Sequence, residues 1–300
     1  MKTLRFLLFG LLAGIPGAAG AESEPVRVAT WNVRNYLQQN RWHDDAYRFD
    51  YPKPEAEKAR LRETLLEVRP DILLLQEMGS EAFLLELRDD LRAGGLDYAW
   101  FHFSAVPEAR TGLALLARFA PDEELLLLPG EAPDEASPGI RRGVHELRFP
   151  RGKSVLRVFH VHLKSRYTTD EADPESRAFR TSELRLLEGL VERRRVLAGP
   201  REVLLLAGDF NTPFEDGLLD GLRRHWRPLA VEDADGEAWT YHHFKSGRRE
   251  VIDGFWHPRG QGGAFSPNGV YPAGEVAAGG SDHRMVVIDW RPWSTIREEG

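Results

Sequence analysis

An α/β domain is the fold class this sequence predicts, and three observations predict it. Short apolar runs of strand character take turns with longer runs of helical period along the chain. Several of the short runs are continuous rather than alternating, which is the pattern of strands covered on both faces. No repeat, low-complexity tract or long linker divides the chain into parts.

Taken in order, Val26-Arg27-Val28-Ala29-Thr30-Trp31 alternates and reads as a strand ending in Asn32. Ala59, Leu61, Leu65, Leu66 and Val68 line one face of a helix from Pro54 to Val68, closed by Pro70. Ile72 to Leu75 is a buried strand leading into Gln76-Glu77, and Glu81 to Leu91 a second helix stopped by Gly94-Gly95. Leu113 to Leu116, Val144 to Phe149 and Val155 to His162 are strands separated by turn residues. Leu125 to Leu128, after three acidic residues, reads as a core strand as readily as an exposed apolar hairpin. Thr181 to Leu197 is a helix with arginines on its outer face, and Val203 to Ala207 a buried strand running into Gly208-Asp209-Phe210-Asn211. Val251-Ile252-Asp253 and Met285 to Trp290 complete the strands. Gln38 to Pro54 and Arg166 to Phe179 read as loops, the first carrying Trp42, Tyr47, Phe49 and Tyr51. Loops of that length in a compact domain are often functional.

The first 21 residues have the form of a signal peptide. Met1, Lys2 and Arg5 make a basic start, Phe6 to Ile15 is apolar, and Ala19-Gly20-Ala21 offers small residues for cleavage. The apolar run is too short to span a bilayer, and no other transmembrane segment is expected. The expectation is therefore an exported protein, periplasmic or extracellular, with one domain over residues 22–300. Cleavage would remove two of 40 basic residues against 47 acidic, moving the formal charge from −7 to about −9. An acidic chain can still cut nucleic acid through a local basic groove, but it is a poor general binder of long polyanions. The absence of cysteine excludes disulfides, thiolate metal sites and cysteine nucleophiles. Stability must then come from the core, for which 42% hydrophobic composition suffices.

Acidic, amide and imidazole residues recur at or just after apolar strands: Asn32, Glu77, His162, Asp209, Asn211 and Asp282-His283. Strand ends from distant parts of a chain can converge on one rim. Asn32 reads either as a turn cap or as part of such a rim. Glu77 is either a solvated loop acid or an oxygen ligand for Mg²⁺ or Mn²⁺. Asp209 and Asn211, two apart, would face one site from an extended segment, the carboxylate taking a proton from water and the amide holding an oxyanion. The alternative is an Asx-type turn before Pro213. His283 reads either as a structural or solvated imidazole or as one that Asp253 could fix in its charged form, and an imidazolium beside a phosphate stabilises charge that grows in a transition state. Lys164 either shares the face of His162 or leads the chain outward, and Arg142 either approaches a phosphate or lies in a surface loop.

The ordered set Thr30-Trp31-Asn32, Leu75-Gln76-Glu77, Gly112 to Arg118, His162-Leu163-Lys164-Ser165, Gly208-Asp209-Phe210-Asn211, Ile252-Asp253 and Ser281-Asp282-His283 resembles the endonuclease/exonuclease/phosphatase superfamily. Pancreatic-type deoxyribonucleases, abasic-site endonucleases, inositol-phosphate phosphatases and bacterial sphingomyelinases belong to it. The resemblance implies a four-layer α-β-β-α sandwich of two mixed sheets with helices on the outer faces and the active site at one sheet edge. It implies Glu77 as principal ligand of Mg²⁺ or Mn²⁺, with Asn32 and Asp282 close to the metal. It implies Asp209 as the group that orients or deprotonates water, Asn211 and His162 on the phosphate, and His283 facing it with Asp253 as partner. Arg142 and Lys164 would bind substrate. The abasic-site branch has an acid where this chain has Arg34, and an active-site tyrosine whose nearest counterpart here is Phe149, which argues against a repair role.

The function expected is an exported metal-dependent phosphodiesterase with nucleic acid as the favoured substrate. The alternatives are a phospholipid head group or small phosphate ester, and a non-catalytic binding protein on the same fold. No obligate protein partner is implied.

Overall fold

A computed structural model describes residues 24–106, 109–127, 139–274 and 279–292. The expected signal peptide and Leu128 lie outside the described residues. Strand β1 (Val26–Tyr36) leads to a hairpin of β2 (Gln39–His43) and β3 (Ala46–Tyr51), then α1 (Glu55–Val68), β4 (Ile72–Met78), α2 (Glu81–Ala93), β5 (Trp100–Ser104) and β6 (Gly112–Ala117). There follow β7 (Glu123–Leu127), β8 (Val144–Arg151), β9 (Ser154–His162), α3 (Arg177–Leu197), β10 (Glu202–Asp209), the short α4 (Asp220–Arg223) and β11 (Trp226–Pro228). A hairpin of β12 (Tyr241–His243) and β13 (Arg248–Glu250) precedes β14 (Asp253–Pro258), β15 (Phe265–Tyr271) and β16 (Met285–Trp290).

Two six-stranded sheets result, ordered β15-β16-β1-β4-β6-β5 and β11-β14-β10-β9-β8-β7. Each holds one parallel pair, β1 with β4 and β9 with β10, among antiparallel neighbours. The continuous apolar runs explain the layering, because successive side chains leave a strand on opposite faces. Val28, Ile72, Leu74 and Leu115 of the first sheet meet Leu147, Leu156, Val158 and Leu205 of the second in a core between the sheets. The residues between them, Ala29, Trp31, Leu73 and Leu75, pack instead on Leu61 and Leu65 of α1 and Leu84 and Leu87 of α2. Phe159, Val161, Leu204 and Leu206 do the same against Leu184, Leu187 and Val191 of α3. The layers are therefore helix, sheet, sheet, helix, as the resemblance implied. Among the described residues no helix is long and apolar enough to cross a membrane.

Two polar side chains inside the sandwich pair with each other across the sheets. The Gln76 amide donates to Thr30 Oγ1 at 3.0 Å and meets His160 Nε2 at 2.7 Å. Burial holds His160 well below its ordinary pKa, so the ring is neutral and Nε2 accepts.

Several expectations change. Gln38 to Pro54 is not a loop: most of it is the β2–β3 hairpin, with Trp42 opposite Tyr47. In the second predicted loop, α3 begins at Arg177 rather than Thr181, because the Asp173 carboxylate accepts from the Ala178 and Phe179 N–H groups at 2.7 and 3.1 Å. β1 does not stop at Asn32 but continues to Tyr36 through an irregular step. The strand expected over Val251 to Asp253 begins only at Asp253, since the carbonyls of Val251 and Ile252 are taken by Phe214 and Phe210 of the loop after β10. Leu125 lies in β7, an edge strand, and is 44% exposed. Phe149 is part of the inter-sheet core, away from the rim residues.

Leu74→Ala should cost about 3 kcal/mol of stability in urea unfolding, as a buried methylene loss with a residual cavity. A loss below about 1 kcal/mol would mean the two sheets close over the gap.

Candidate active site

The register of the two parallel pairs builds the site. β1 and β4 run the same way, with Asn32 opposite Gln76 and Glu77 following. β9 and β10 likewise end together, with Asp209 opposite His162. β14 and β16 run antiparallel to β10 and β1, so their beginnings lie where those strands end: Asp253 stands opposite Asp209, and Asp282-His283 precedes Met285. Six segments far apart in sequence thus deliver their polar residues to one rim.

Asn32 bridges the two sheets. Its amide nitrogen donates to Glu77 Oε1 at 3.2 Å and to Asp209 Oδ2 at 3.0 Å, while its oxygen accepts the Arg34 N–H at 2.9 Å. Glu77 Oε2 accepts the Asn35 N–H at 2.8 Å. Arg34, Asn35, Glu77 and Asn211 all have positive φ, between 46° and 65°. Non-glycine residues seldom adopt that conformation, and where they do it is often at functional sites.

Asp209 and Asn211 do face one place, but not from an extended segment. Asn211 is left-handed at φ 49°, and its N–H donates to Asp209 Oδ1 at 2.8 Å, so an Asx-type turn brings the two side chains together. The Asn211 amide then reaches Leu163 O at 2.9 Å and Asp209 Oδ2 at 3.3 Å, while Phe210 is buried in the α3 layer. His162 Nε2 lies 3.4 Å from Asp209 Oδ2. Burial, then the Arg142 charge, keeps that imidazole neutral, well below its usual pKa. Burial first, and the neighbouring Asp253 charge second, push the Asp209 carboxyl up to about 7. A carboxylate so placed can exchange a proton with water near neutrality. Gly208 is required beside it: at φ 139° a Cβ would lie 1.9 Å from Val161 O.

His283 and Asp253 form the other half. Nδ1 lies 3.0 and 2.9 Å from the two Asp253 oxygens, which leaves Nε2 to meet a ligand. Burial lowers the imidazole pKa, but the Asp253 carboxylate overcomes it and the group rises to about 10, a cation at neutral pH. Three residues without an assigned role in the sequence reading hold this pair. Thr240 Oγ1 donates to Asp253 Oδ2 at 2.8 Å; Ser281 Oγ donates to Asn32 O at 2.7 Å and accepts the His283 N–H at 3.0 Å; Tyr241 stacks 4.7 Å from the His283 ring. Ser281 stood in a recognised tripeptide, whereas nothing local marks Thr240 or Tyr241.

Other candidates sit further out. Asp282 makes no hydrogen bond to Glu77; its carboxylate lies 3.9 Å from Arg34 Nε, and Arg34 in turn stands 5.5 Å over the Phe244 ring. Arg142 donates to Leu163 O at 3.0 Å, at the end of β9 and within the field of Glu77 and Asp209. Lys164 leads outward, its ammonium bound to the carbonyls of Ser165 and Tyr167. Glu183, fully buried on α3, ties these loops together by accepting the Arg141 and Lys164 N–H groups at 2.7 and 2.6 Å. As an interior helix residue it gave no sequence signal.

Asp209, Asp253 and His283 bring ligand atoms within 4.8 Å of one another, but a protonated imidazole held by Asp253 is a donor to phosphate rather than a metal ligand. Glu77 fits a hard cation better. Two neutral N–H groups touch it and, among the described residues, no lysine or arginine pairs with it.

Glu183→Gln sets an amide N–H against a backbone N–H and should cost about 1–3 kcal/mol in urea unfolding. Unchanged stability would show that the Arg141 and Lys164 loops do not depend on this carboxylate.

Residues 29–283 match the sequence profile of the Endonuclease/Exonuclease/phosphatase family. Comparison with curated proteins by sequence finds no match. Among solved structures, the chain is similar to an endonuclease/exonuclease/phosphatase from Beutenbergia cavernae, with a TM-score of 0.60 and 19% identity over 89% of this chain and 72% of that one. It is similar to TDP2 of D. rerio complexed with a single-strand DNA product, with a TM-score of 0.59 and 14% identity over 89% and 99% of the two chains. Sphingomyelinase C from Streptomyces griseocarneus gives a TM-score of 0.57 and 15% identity over 90% and 100%. At these identities the likeness carries the fold, and the profile match carries the family. The chain belongs to the Endonuclease/Exonuclease/phosphatase family.

Proposed function

We propose that this chain is a divalent-metal-dependent phosphodiesterase that hydrolyses a phosphate ester by in-line attack of water, with nucleic acid as its substrate. The observation that carries this reading is the Asp209 carboxyl, hydrogen-bonded by Asn32 and Asn211, opposite the His283–Asp253 pair. Asp209 takes a proton from the attacking water as the new P–O bond forms and the ester P–O bond breaks on the opposite side. His283, cationic through Asp253, donates from Nε2 to a non-bridging oxygen whose charge grows in the transition state. His162, neutral and beside Asp209, keeps that carboxyl in place, and Asn211 presents its amide edge to the phosphate. Glu77, with Asn32 and Asp282 nearby, would hold Mg²⁺ or Mn²⁺, which shields the phosphate and eases departure of the leaving oxygen.

The β2–β3 hairpin supports a polyanionic, base-bearing substrate. Trp42 and Phe49 are each 74% exposed, and Tyr47 packs edge-on to both at 6.0 and 5.2 Å. Arg41 stands opposite Arg48 across the hairpin, a like-charge pair that an anion would relieve. Aromatic faces next to such charge suit stacked bases along a phosphate backbone. The same exposed hairpin favours a second reading, a phospholipid head group met at a membrane surface, which the likeness to a sphingomyelinase also supports. With its proposed signal peptide, the enzyme acts outside the cytoplasm.

Nicking of supercoiled plasmid should require Mg²⁺ or Mn²⁺ and stop on chelation. His283→Ala should lower the rate by about 10²–10³-fold. Activity indifferent to chelation and to His283→Ala would sink the mechanism, whereas no turnover on any phosphate ester would leave a binding protein on this fold. Trp42→Ala with Phe49→Ala should raise KM for single-stranded DNA by about 5- to 100-fold. Intact plasmid together with metal-dependent cleavage of sphingomyelin vesicles would transfer the substrate to lipid while keeping the site.

A further inference from the structure

Both sheets end on one flank, the first with β5 and the second with β7, and three titratable side chains meet between these edges. They take no part in the site described above. His102 Nδ1 lies 2.6 Å from Glu124 Oε1, and His145 Nε2 lies 2.8 Å from the same oxygen. The two imidazole rings are 4.6 Å apart, and ligand atoms of all three residues fall within 4.8 Å of one another.

Strand alternation forces this meeting. Phe101 and Phe103 pack into the α2 layer, so His102 between them turns toward the second sheet. His145 sits between Val144, which packs into the α3 layer, and Glu146, which pairs with Arg194 of α3. Its ring therefore turns inward as well. His145 is fully buried, while Glu124 and His102 keep 23% and 33% side-chain exposure. An ion arriving from solvent would thus meet two accessible ligands in front of a third that is already fixed.

We propose that His102, Glu124 and His145 form a second metal site, for Zn²⁺ or a similar divalent transition ion, that clamps the free edges of the two sheets together. The donor set decides the metal. Two imidazoles and a carboxylate suit Zn²⁺, Co²⁺ or Ni²⁺, whereas the oxygen donors around Glu77 suit Mg²⁺ or Mn²⁺. Both rings already face one carboxylate oxygen of Glu124, so their ligand nitrogens and that oxygen converge on a single point. On binding, each ring gives up its hydrogen bond to Glu124 and carries its proton on the other nitrogen. His145 Nδ1 has no partner among the described residues. That ring is oriented by packing rather than by an acceptor behind it, and we expect weaker affinity than such an acceptor would give.

The test uses the full chain, stripped with a chelator and titrated with Zn²⁺ by calorimetry, with Co²⁺ absorption as a second readout. Glu77→Gln, altered only at the catalytic rim, should still bind one equivalent of Zn²⁺ and show a Zn²⁺-dependent rise in Tm. His102→Ala, a change at a partly exposed edge position, should lose that equivalent or bind it at least 10-fold more weakly, with no rise in Tm. Glu124→Gln should behave the same way. Zn²⁺ bound equally by the parent and His102→Ala, or lost in Glu77→Gln but kept in His102→Ala, would overturn the proposal. Neither result bears on the phosphodiesterase reading, which the plasmid assay in Mg²⁺ decides separately.

Discussion

The pairing of β10 with β9 on one side and β14 on the other is the constraint on which the rest of the site depends. It puts Asp209 opposite both His162 and Asp253, inside a sheet, where no side chain can swing away. Two carboxylates brought together in a buried place repel each other and resist ionisation. The structure meets this with one cation, His283, which Asp253 holds charged, and with neutral N–H groups from Asn32 and Asn211 on Asp209. The asymmetry follows from that arrangement: one carboxylate is committed to the imidazole, and the other is left near neutrality, able to exchange a proton.

The rest of the fold holds this balance steady. Asn32 links the first sheet to Asp209 of the second, and Ser281 ties the Asn32 carbonyl to the His283 backbone, so the two sheets cannot slide without breaking the site. The apolar layer between the sheets resists that sliding over a much larger area, and the helices on each outer face resist bending. Strained backbone at Glu77, Asn211 and the Arg34-Asn35 step is tolerated because these surroundings over-determine it. Catalytic groups of this kind need positions good to a fraction of an ångström, which strand ends provide better than free loops.

Two polar arrangements lie outside the apolar layers. After β1 leaves the rim, the β2–β3 hairpin carries exposed aromatics and a cross-strand arginine pair. At the far edges, where β5 and β7 leave their sheets unpaired on one side, an imidazole–carboxylate cluster joins the two sheets instead of further apolar contacts. Both use polar side chains at places where the hydrophobic core has run out.

Much of this was legible in the residues themselves. Continuous apolar runs such as Ile72 to Leu75 and Val203 to Ala207 have the profile of strands covered on both faces, and the family resemblance implied the second sheet and the outer helices. The acids, amides and imidazoles that follow those runs marked the rim, since a polar group at the end of a buried strand has few other places to be. What the sequence could not decide were relations set by register and packing. Aromatic and charged residues in Gln38 to Pro54 read as a loop because a solvent-facing hairpin has no apolar face to give it a period. Thr240, Tyr241 and Glu183 act through partners 13 to 42 positions away, and no local pattern announces such a partner. The His102–Glu124–His145 cluster is the plainest case: each residue is unremarked in its own strand, and only the meeting of two sheet edges brings their donor atoms together.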